Sequence, residues 1–227
     1  IHEWSAIQHV LTTREQLDAM MSGKPGNYWN SAENRQAAEI LQRWVRSGYF
    51  TKDFSAIGYD DSASIFMQGD SLLFLTGNWM MGELLENSPF EVGFFLVPAN
   101  DPSRLKAVGG PGIPFVVSQK STKIDAAMKF MNYLATEEAA KAWADNMMLP
   151  AQSIDANEYR DAPLLFREIL DAYSTADKAN GMGYFIDWIT PTFYDTCSAA
   201  VQELMALEIT PEVFVQKLQN DYASFTN

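Results

Sequence analysis

Apolar residues recur at helical spacing along most of the chain, so the pattern predicts a protein rich in amphipathic helices. The clearest begins at Ser31, a predicted N-cap, buries Ala37 and Leu41, and ends at Gly48. The other predicted helices run from Asp60 or Asp61 to Gly69, from Trp79 to about Glu86, over Ile124–Ala135, onward from Thr136, over Leu164–Tyr173, around Cys197, and from Thr210-Pro211.

Short apolar runs between the helices predict buried strands, and the first of them contains no polar gap. They are LLFL at residues 72–75, EVGFFLVPA at 91–99 and FVVSQKS at 115–121. Strands separated by helices indicate the α/β class. Three or four strands are few for a complete doubly wound sheet, so part of the sheet is expected to be missing from this chain.

Length and composition are those of a soluble globular protein of one large or two small domains: 227 residues, 47% hydrophobic and 20% charged. No apolar run is long enough to cross a bilayer. The opening IHEWSAIQHVL resembles the middle of a helix, and an initiator Met and an export signal are both lacking. We therefore expect a fragment or a processed chain.

The formal net charge of −13 argues against nucleic acid as a partner, since phosphate binding needs a basic surface. Cys197 is the single cysteine, which excludes an internal disulfide and a cysteine-rich metal site. Its helical neighbours predict a buried small hydrophobe. A catalytic thiol needs a histidine partner, and the two histidines, His2 and His9, stand at the start of the chain.

The sequence contains no phosphate loop, dinucleotide-binding loop, zinc-protease motif or serine-hydrolase elbow. Asp60 and Asp61 are adjacent, so they cannot flank a glycosidic bond from opposite sides, and helix capping explains them better. Calcium ligands at alternating positions are also lacking. These observations predict a protein that is not an enzyme and that uses no metal or cofactor.

Aromatic residues are the stronger signal, with six Trp and nine Tyr. Trp44 and Trp143 fit the apolar faces of their helices and are predicted to be core residues, whereas Trp4 and Trp29 remain open. Trp79 and Trp188 differ, because each stands at a junction beside glycine and short polar residues. An indole at such a position suits stacking on a sugar ring. From the residues alone, ligand platform and core are equally supported for Trp79.

Several stretches together resemble one family in order and spacing, from about Gly48 to the C-terminus. They are FMQGDSLLFLTGNWMMGELLE, VGFFLVPA, VGGPGIPFVVSQKS, IDAAMKFMNYLATEEAAKAWADNMMLPA, GYFTKD and ITPEVFVQKLQNDY. In these stretches the chain resembles the bacterial extracellular solute-binding proteins of family 1, although no single piece is diagnostic. The chain departs from the family pattern at Asp70, Leu72 and Asn78, and the last change leaves the ligand's identity open.

The resemblance implies a two-lobed periplasmic-binding-protein-like fold of the Venus-flytrap type II, with α/β lobes. This chain would supply the helix-rich C-terminal lobe, residues 1–112 and 174–227, plus a remnant of the N-terminal lobe, residues 113–173. The residues that the resemblance assigns to ligand binding are Gly77, Asn78, Trp79, Gly109, Gly110, Asp187 and Trp188.

The implied function is that of the extracytoplasmic substrate-binding subunit of an ABC importer, binding a sugar or oligosaccharide and docking on permease subunits. A lipid anchor outside this chain would be its one link to the membrane. Two alternatives remain open. One is a carbohydrate-active enzyme or its accessory domain; the other is the same fold binding a polyol phosphate, a peptide or a metal. An anionic ligand needs basic side chains, for which Arg104 and Lys106 are the candidates.

Overall fold

The structure is a computed structural model that describes residues 1–24, 28–99, 101–109, 115–150, 152, 154–186 and 189–226. Helices dominate these residues. The α-helices are α1 (His2–Leu11), α2 (Arg14–Met21), α3 (Ala32–Arg46), α4 (Tyr59–Met67), α5 (Met81–Asn87), α6 (Ile124–Leu134), α7 (Glu137–Asp145), α8 (Leu164–Lys178), α9 (Phe193–Met205) and α10 (Pro211–Thr226). Three short 3-10 helices cover Phe54–Ala56, Asn78–Met80 and Ala156–Tyr159.

Local capping chemistry explains where several helices begin. The hydroxyl of Ser31 accepts the Asn34 amide at 3.3 Å and starts α3. Thr136 and Thr210 act in the same way on α7 and α10, also at 3.3 Å. The predicted start of α4 is wrong, because Gly58 is its N-cap. Asp60 and Asp61 instead lie in its first turn, where their charge favours the positive end of the helix dipole.

The predicted strands are not formed. Residues 72–75, 91–99 and 115–121 belong to neither a helix nor a β-ladder, and Leu72 is 91% exposed. Among the described residues the one β-type pairing is an isolated parallel bridge between Ala107 and Met182. An apolar run predicts burial, but a strand also needs a neighbour that pairs with its N–H and C=O groups.

One compact unit has a core built from α1, α3, α9 and α10. Trp4 and Trp29, which the sequence left open, are both fully buried in this core. Their rings lie 5.1 Å from Phe214 and 4.8 Å from Phe193, respectively, between ring centres. Cys197 is buried beside them, as predicted. This unit consists of Ile1–Leu75, Val97–Gly110 and Asn180–Asn227.

The second unit contains α5 to α8 and consists of Thr76–Leu96 and Pro111–Ala179. Its α5 packs on α8, and α6 packs on α7. The assignment of Trp143 to the core is wrong, because this side chain is 36% exposed and α7 buries its alanines instead. No residue of α6 is buried, and Ile124 and Met128 on its apolar face are exposed.

The predicted segment 113–173 falls within this second unit, which also includes residues 76–96. Which lobe each unit belongs to stays a prediction. In the part of the chain that the structure describes, no helix combines the length and apolar character needed to cross a membrane.

Candidate functional site

Gly77, Asn78 and Trp79 lie together in the second unit, at the entrance to α5. Gly77 is the N-cap of the 3-10 helix, and its carbonyl accepts the Met80 amide at 3.1 Å. Met80 and Met81 are buried and so fix the junction, whereas Asn78 is exposed and Trp79 is 50% exposed. Trp79 is therefore a surface residue held at its base, which favours the platform interpretation over the core interpretation.

The six-membered ring of Trp79 folds back over the α-carbon of Gly77. A Cβ added at Gly77 would overlap three carbons of that ring. The backbone of Gly77 has φ −110° and ψ 172°, which any residue adopts. Backbone conformation therefore gives no reason for glycine at this position. Glycine is needed because a side chain would displace the indole.

This junction presents two kinds of binding group. The indole offers a broad apolar surface, and the exposed amide of Asn78 offers both a donor and an acceptor. That combination suits a ligand with an apolar face and hydroxyls at its edge. Neither residue carries charge, so the junction itself has nothing to attract a strongly anionic ligand.

Gly109 belongs to the first unit. A side chain does not fit there either, because a Cβ would overlap the terminal methyl of Met182. The backbones of the two segments pair beside it: the Gly183 amide donates to the Ala107 carbonyl and the Lys106 amide to the Gly181 carbonyl, each at 2.7 Å. These bonds form the isolated bridge between two segments distant in sequence.

His9 of α1 forms a hydrogen bond with the segment that follows this bridge, a role that the sequence did not suggest. Its ring is fully buried; Nδ1 donates to the Ser5 carbonyl at 2.7 Å, and Nε2 accepts the Tyr184 amide at 3.3 Å. Burial lowers the pKa of His9 to about 4, although the hydrogen bond to the Ser5 carbonyl favours the charged form in smaller measure. Arg14 adds a hydrogen bond to the Met182 carbonyl and stacks over the Tyr184 ring at 4.8 Å.

Three of the predicted ligand residues, Gly110, Asp187 and Trp188, lie outside the described residues. Gly77, Asn78 and Trp79 are adjacent in one unit, and Gly109 belongs to the other. The two basic candidates for an anionic ligand are already engaged. Arg104 pairs with Asp101 and donates to the Leu11 carbonyl, and Lys106 donates to the Pro102 carbonyl.

Metal chemistry finds no support in the described part of the chain, where no three His, Cys, Asp or Glu side chains are grouped to hold an ion. Asp60 and Asp61 are both exposed on the first turn of α4, consistent with a role at the helix end.

Comparison with known proteins gives a family match over most of the chain. The profile of the family described as bacterial extracellular solute-binding protein matches residues 3–165. A curated relative is the "Multiple sugar-binding protein" of Streptococcus mutans. It is 25% identical over 114 residues, which are 50% of this chain and 27% of that protein.

Solved structures show the fold more completely. A "Chitin oligosaccharide binding protein" matches 98% of this chain with a TM-score of 0.70 at 16% identity. An ABC substrate-binding protein from Listeria monocytogenes, in complex with cycloalternan, matches 99% with a TM-score of 0.66 at 20% identity. A structure from work on xylan utilization by Caldanaerobius polysaccharolyticus matches 96% with a TM-score of 0.63 at 20% identity.

These neighbours have the periplasmic-binding-protein fold, and the likeness shows that fold for this chain. The chain covers 56%, 57% and 58% of the chitin oligosaccharide, cycloalternan and xylan-related structures, respectively, so it spans little more than half of their length.

Proposed function

Because this chain belongs to the bacterial extracellular solute-binding proteins, we propose that it is part of the sugar- or oligosaccharide-binding subunit of an ABC importer. The observation that carries the proposal is the Trp79 indole, half-exposed and backed by the bare α-carbon of Gly77. The curated relative named above is described as a multiple sugar-binding protein. Two of the similar structures are described as a chitin oligosaccharide binding protein and as a complex with cycloalternan.

Trp79 suits this role because half of its side chain is exposed and its six-membered ring lies against Gly77. A pyranose ring has an apolar face that stacks on an indole, and its hydroxyls need donors and acceptors at the edge. Asn78 supplies both. We propose that Gly110, Asp187 and Trp188 complete the ligand contacts together with Gly109, as the family resemblance implies.

The two alternatives are less well supported. A carbohydrate-active enzyme needs two facing carboxylates, and Asp60 and Asp61 are consecutive and exposed on one helical turn. The family relatives are solute-binding proteins, which supports the proposal that this protein is not an enzyme. A polyol phosphate or an acidic peptide needs available cations, but Arg104 and Lys106 are held by neighbouring groups.

For the architecture, we propose that the described units belong to the two α/β lobes of a longer protein, residues 113–173 being part of the N-terminal lobe. The apolar runs at 72–75, 91–99 and 115–121 would then pair with strands from the rest of that protein. The uncovered apolar face of α6 supports this idea, because such faces are normally buried.

This architecture predicts that the 227-residue chain, made alone, self-associates through the exposed α6 face. Sedimentation should show oligomers, and Met128→Lys should reduce them, because a charge on an apolar contact opposes its burial. The matched control is Lys129→Met, a substitution on the same helix that does not remove apolar area. A monodisperse wild-type chain with full sugar affinity would overturn the lobe assignment.

We also propose that the protein works outside the cytoplasm, held there by a lipid anchor beyond this chain, and delivers its ligand to permease subunits. The extracellular family supports the location. The anchor can be checked in the gene: upstream codons that encode neither a signal peptide nor a lipid-attachment cysteine would contradict it.

Ligand binding is tested on the complete gene product with chitin oligosaccharides, xylan oligosaccharides and cycloalternan, using thermal shift and then calorimetry. Trp79→Ala should weaken binding about ten- to a hundredfold, because stacking one aromatic face contributes on the order of 1–3 kcal/mol. Trp143→Ala is the matched control, since it removes another partly exposed indole of the same unit. Turnover of any of these sugars would refute the receptor function.

A further inference from the structure

The connection that leaves α8 contains the one Asn-Gly pair of the sequence, Asn180-Gly181. The helix ends at Lys178, with Ala179 as its C-cap, and Asn180 follows with a φ of 49°. Asparagine is one of the few residues that adopt this left-handed conformation readily just beyond a helix end. Helix termination therefore explains the asparagine, but it gives no reason for the glycine that comes after it.

Gly181 is buried and is held through its carbonyl oxygen, which accepts the Lys106 amide at 2.7 Å and the Ala107 amide at 3.4 Å. The preceding peptide group is different. In the described part of the chain, neither the Asn180 carbonyl nor the Gly181 amide forms a hydrogen bond. Asn180 is exposed, and its side chain forms none with these residues either. Because glycine adopts a wide range of φ, the peptide plane between the two residues can rotate while the Gly181 carbonyl keeps its bonds.

We propose that Asn180 is a site of spontaneous deamidation in the folded protein. Asparagine is a chemically labile side chain, and its reaction requires the backbone nitrogen of the next residue to reach Cγ. A side chain on that next residue would crowd the approach, and Gly181 has none. Rotation of the peptide plane supplies the movement, and the exposure of Asn180 supplies the water. The inference does not depend on the proposed sugar binding.

The reaction has two steps, and nothing is oxidised or reduced in either. The Gly181 nitrogen loses its proton and bonds to Cγ of Asn180, which closes a succinimide ring. The Cγ–Nδ2 bond breaks, and Nδ2 leaves as ammonia with the proton. Water then opens the ring at one of its two carbonyls. Opening at Cγ gives aspartate, whereas opening at the former backbone carbonyl gives isoaspartate, whose main chain runs through Cβ and Cγ.

Both products change the connection chemically. Each adds a negative charge just beyond the carboxyl end of α8, where the helix dipole is already negative. Isoaspartate also adds one methylene to the backbone between Ala179, the last residue of the second unit, and Gly181, which pairs with Lys106. The modification therefore alters charge and chain length at the point where the chain passes from the second unit to the first.

The test is incubation of the complete gene product in mildly alkaline native buffer, where the backbone nitrogen gives up its proton more readily. Peptide mass analysis detects the replacement of amide by acid, and labelling with an isoaspartyl methyltransferase identifies isoaspartate. Asn180 should convert before every other asparagine. Asn30 is the matched comparison, because it is also exposed but precedes Ser31 and donates its amide to Gln216 at 3.2 Å.

Asn180→Gln should abolish both the mass change and the methyltransferase labelling at this position, because the longer side chain closes a less favourable ring. A parallel incubation in urea separates the folded from the unfolded reaction. Conversion at Asn180 that is no faster than at Asn30, or that appears only in urea, would overturn the proposal. Conversion at Asn180 in native buffer, lost in Asn180→Gln, would support it.

Discussion

Gly77→Ala gives the sharpest test of the ligand platform, because it perturbs Trp79 without changing that residue. The added methyl would occupy the volume of the indole's six-membered ring, whereas the backbone at φ −110° accepts alanine without strain. The ring has to move by on the order of 1.5 Å to restore ordinary van der Waals separation. It therefore leaves the rotamer in which, under the proposed function, it would meet the ligand.

The magnitude follows from what the displaced ring contributes. A stacked indole is worth on the order of 1–3 kcal/mol, and an off-rotamer side chain costs about 0.5–1.5 kcal/mol. We expect Gly77→Ala to weaken sugar binding about tenfold. The free energy of unfolding should change by less than about 1 kcal/mol, because a side chain that is 50% exposed contributes little to the core.

Gly82→Ala is the matched control, because a Cβ at this exposed glycine of α5 meets nothing within 4 Å. It should raise stability by about 0.5–1 kcal/mol through helix propensity and leave sugar affinity unchanged. Calorimetry gives the affinities and urea unfolding gives the stabilities. Wild-type affinity in Gly77→Ala would show either that the ring does not rest on Gly77 or that Trp79 does not touch the ligand, and Trp79→Ala separates the two.

Two further predictions concern stability. The pKa of His9 falls from 6.5 in the unfolded chain to about 4 in the folded one. Above pH 6.5 both states hold a neutral ring. As the pH drops from 6.5 towards 4, the unfolded chain takes up a proton that the folded one does not, so the free energy of unfolding falls by roughly 3 kcal/mol in total. Urea unfolding of His9→Gln should lack this part of the pH dependence; identical wild-type and variant slopes would contradict the buried neutral imidazole. Gln42→Leu should cost about 1–3 kcal/mol, because the Gln42 amide donates to the Leu204 and Ile209 carbonyls at 3.1 and 2.8 Å. Gln202→Leu, at an exposed position, should change the free energy of unfolding by less than about 0.5 kcal/mol. Equal effects of Gln42→Leu and Gln202→Leu would refute the stabilising role of the Gln42 hydrogen bonds.

The sequence predicted the helices because their signals are local. Periodic apolar residues, a hydroxyl before the first turn and a glycine after the last one act within a few residues of each other. Ser31, Thr136 and Thr210 cap helices where the pattern placed them, and Gly48 and Gly69 follow helices with positive φ. The junction at Trp79 was found in the same way, from glycine and polar residues beside an aromatic.

Strand formation and the burial of tryptophans were harder to predict, because both depend on residues that are distant in sequence. The runs at 72–75, 91–99 and 115–121 have the composition of strands, but a strand also needs a partner that composition does not supply. Trp143 fits an apolar face as well as Trp44 does, yet it is exposed because the alanines of α7 provide the packing. Periodicity gives the direction of a side chain within its helix and not what lies opposite.

The sequence by itself thus determined most of the helices, the caps at Ser31, Thr136 and Thr210, the family resemblance and the candidate residues at the entrance to α5. Tertiary structure decided how those residues are held. The contact of Trp79 with Gly77 depends on a side-chain rotamer, and the buried state of His9 depends on a segment 175 residues away. The hydrogen bond from the Thr190 hydroxyl to the Asp221 carboxylate joins residues 31 positions apart. Contacts of this kind produce no periodic pattern in the sequence, because a hydrogen bond or a ring contact between remote segments requires only that the fold bring two groups together.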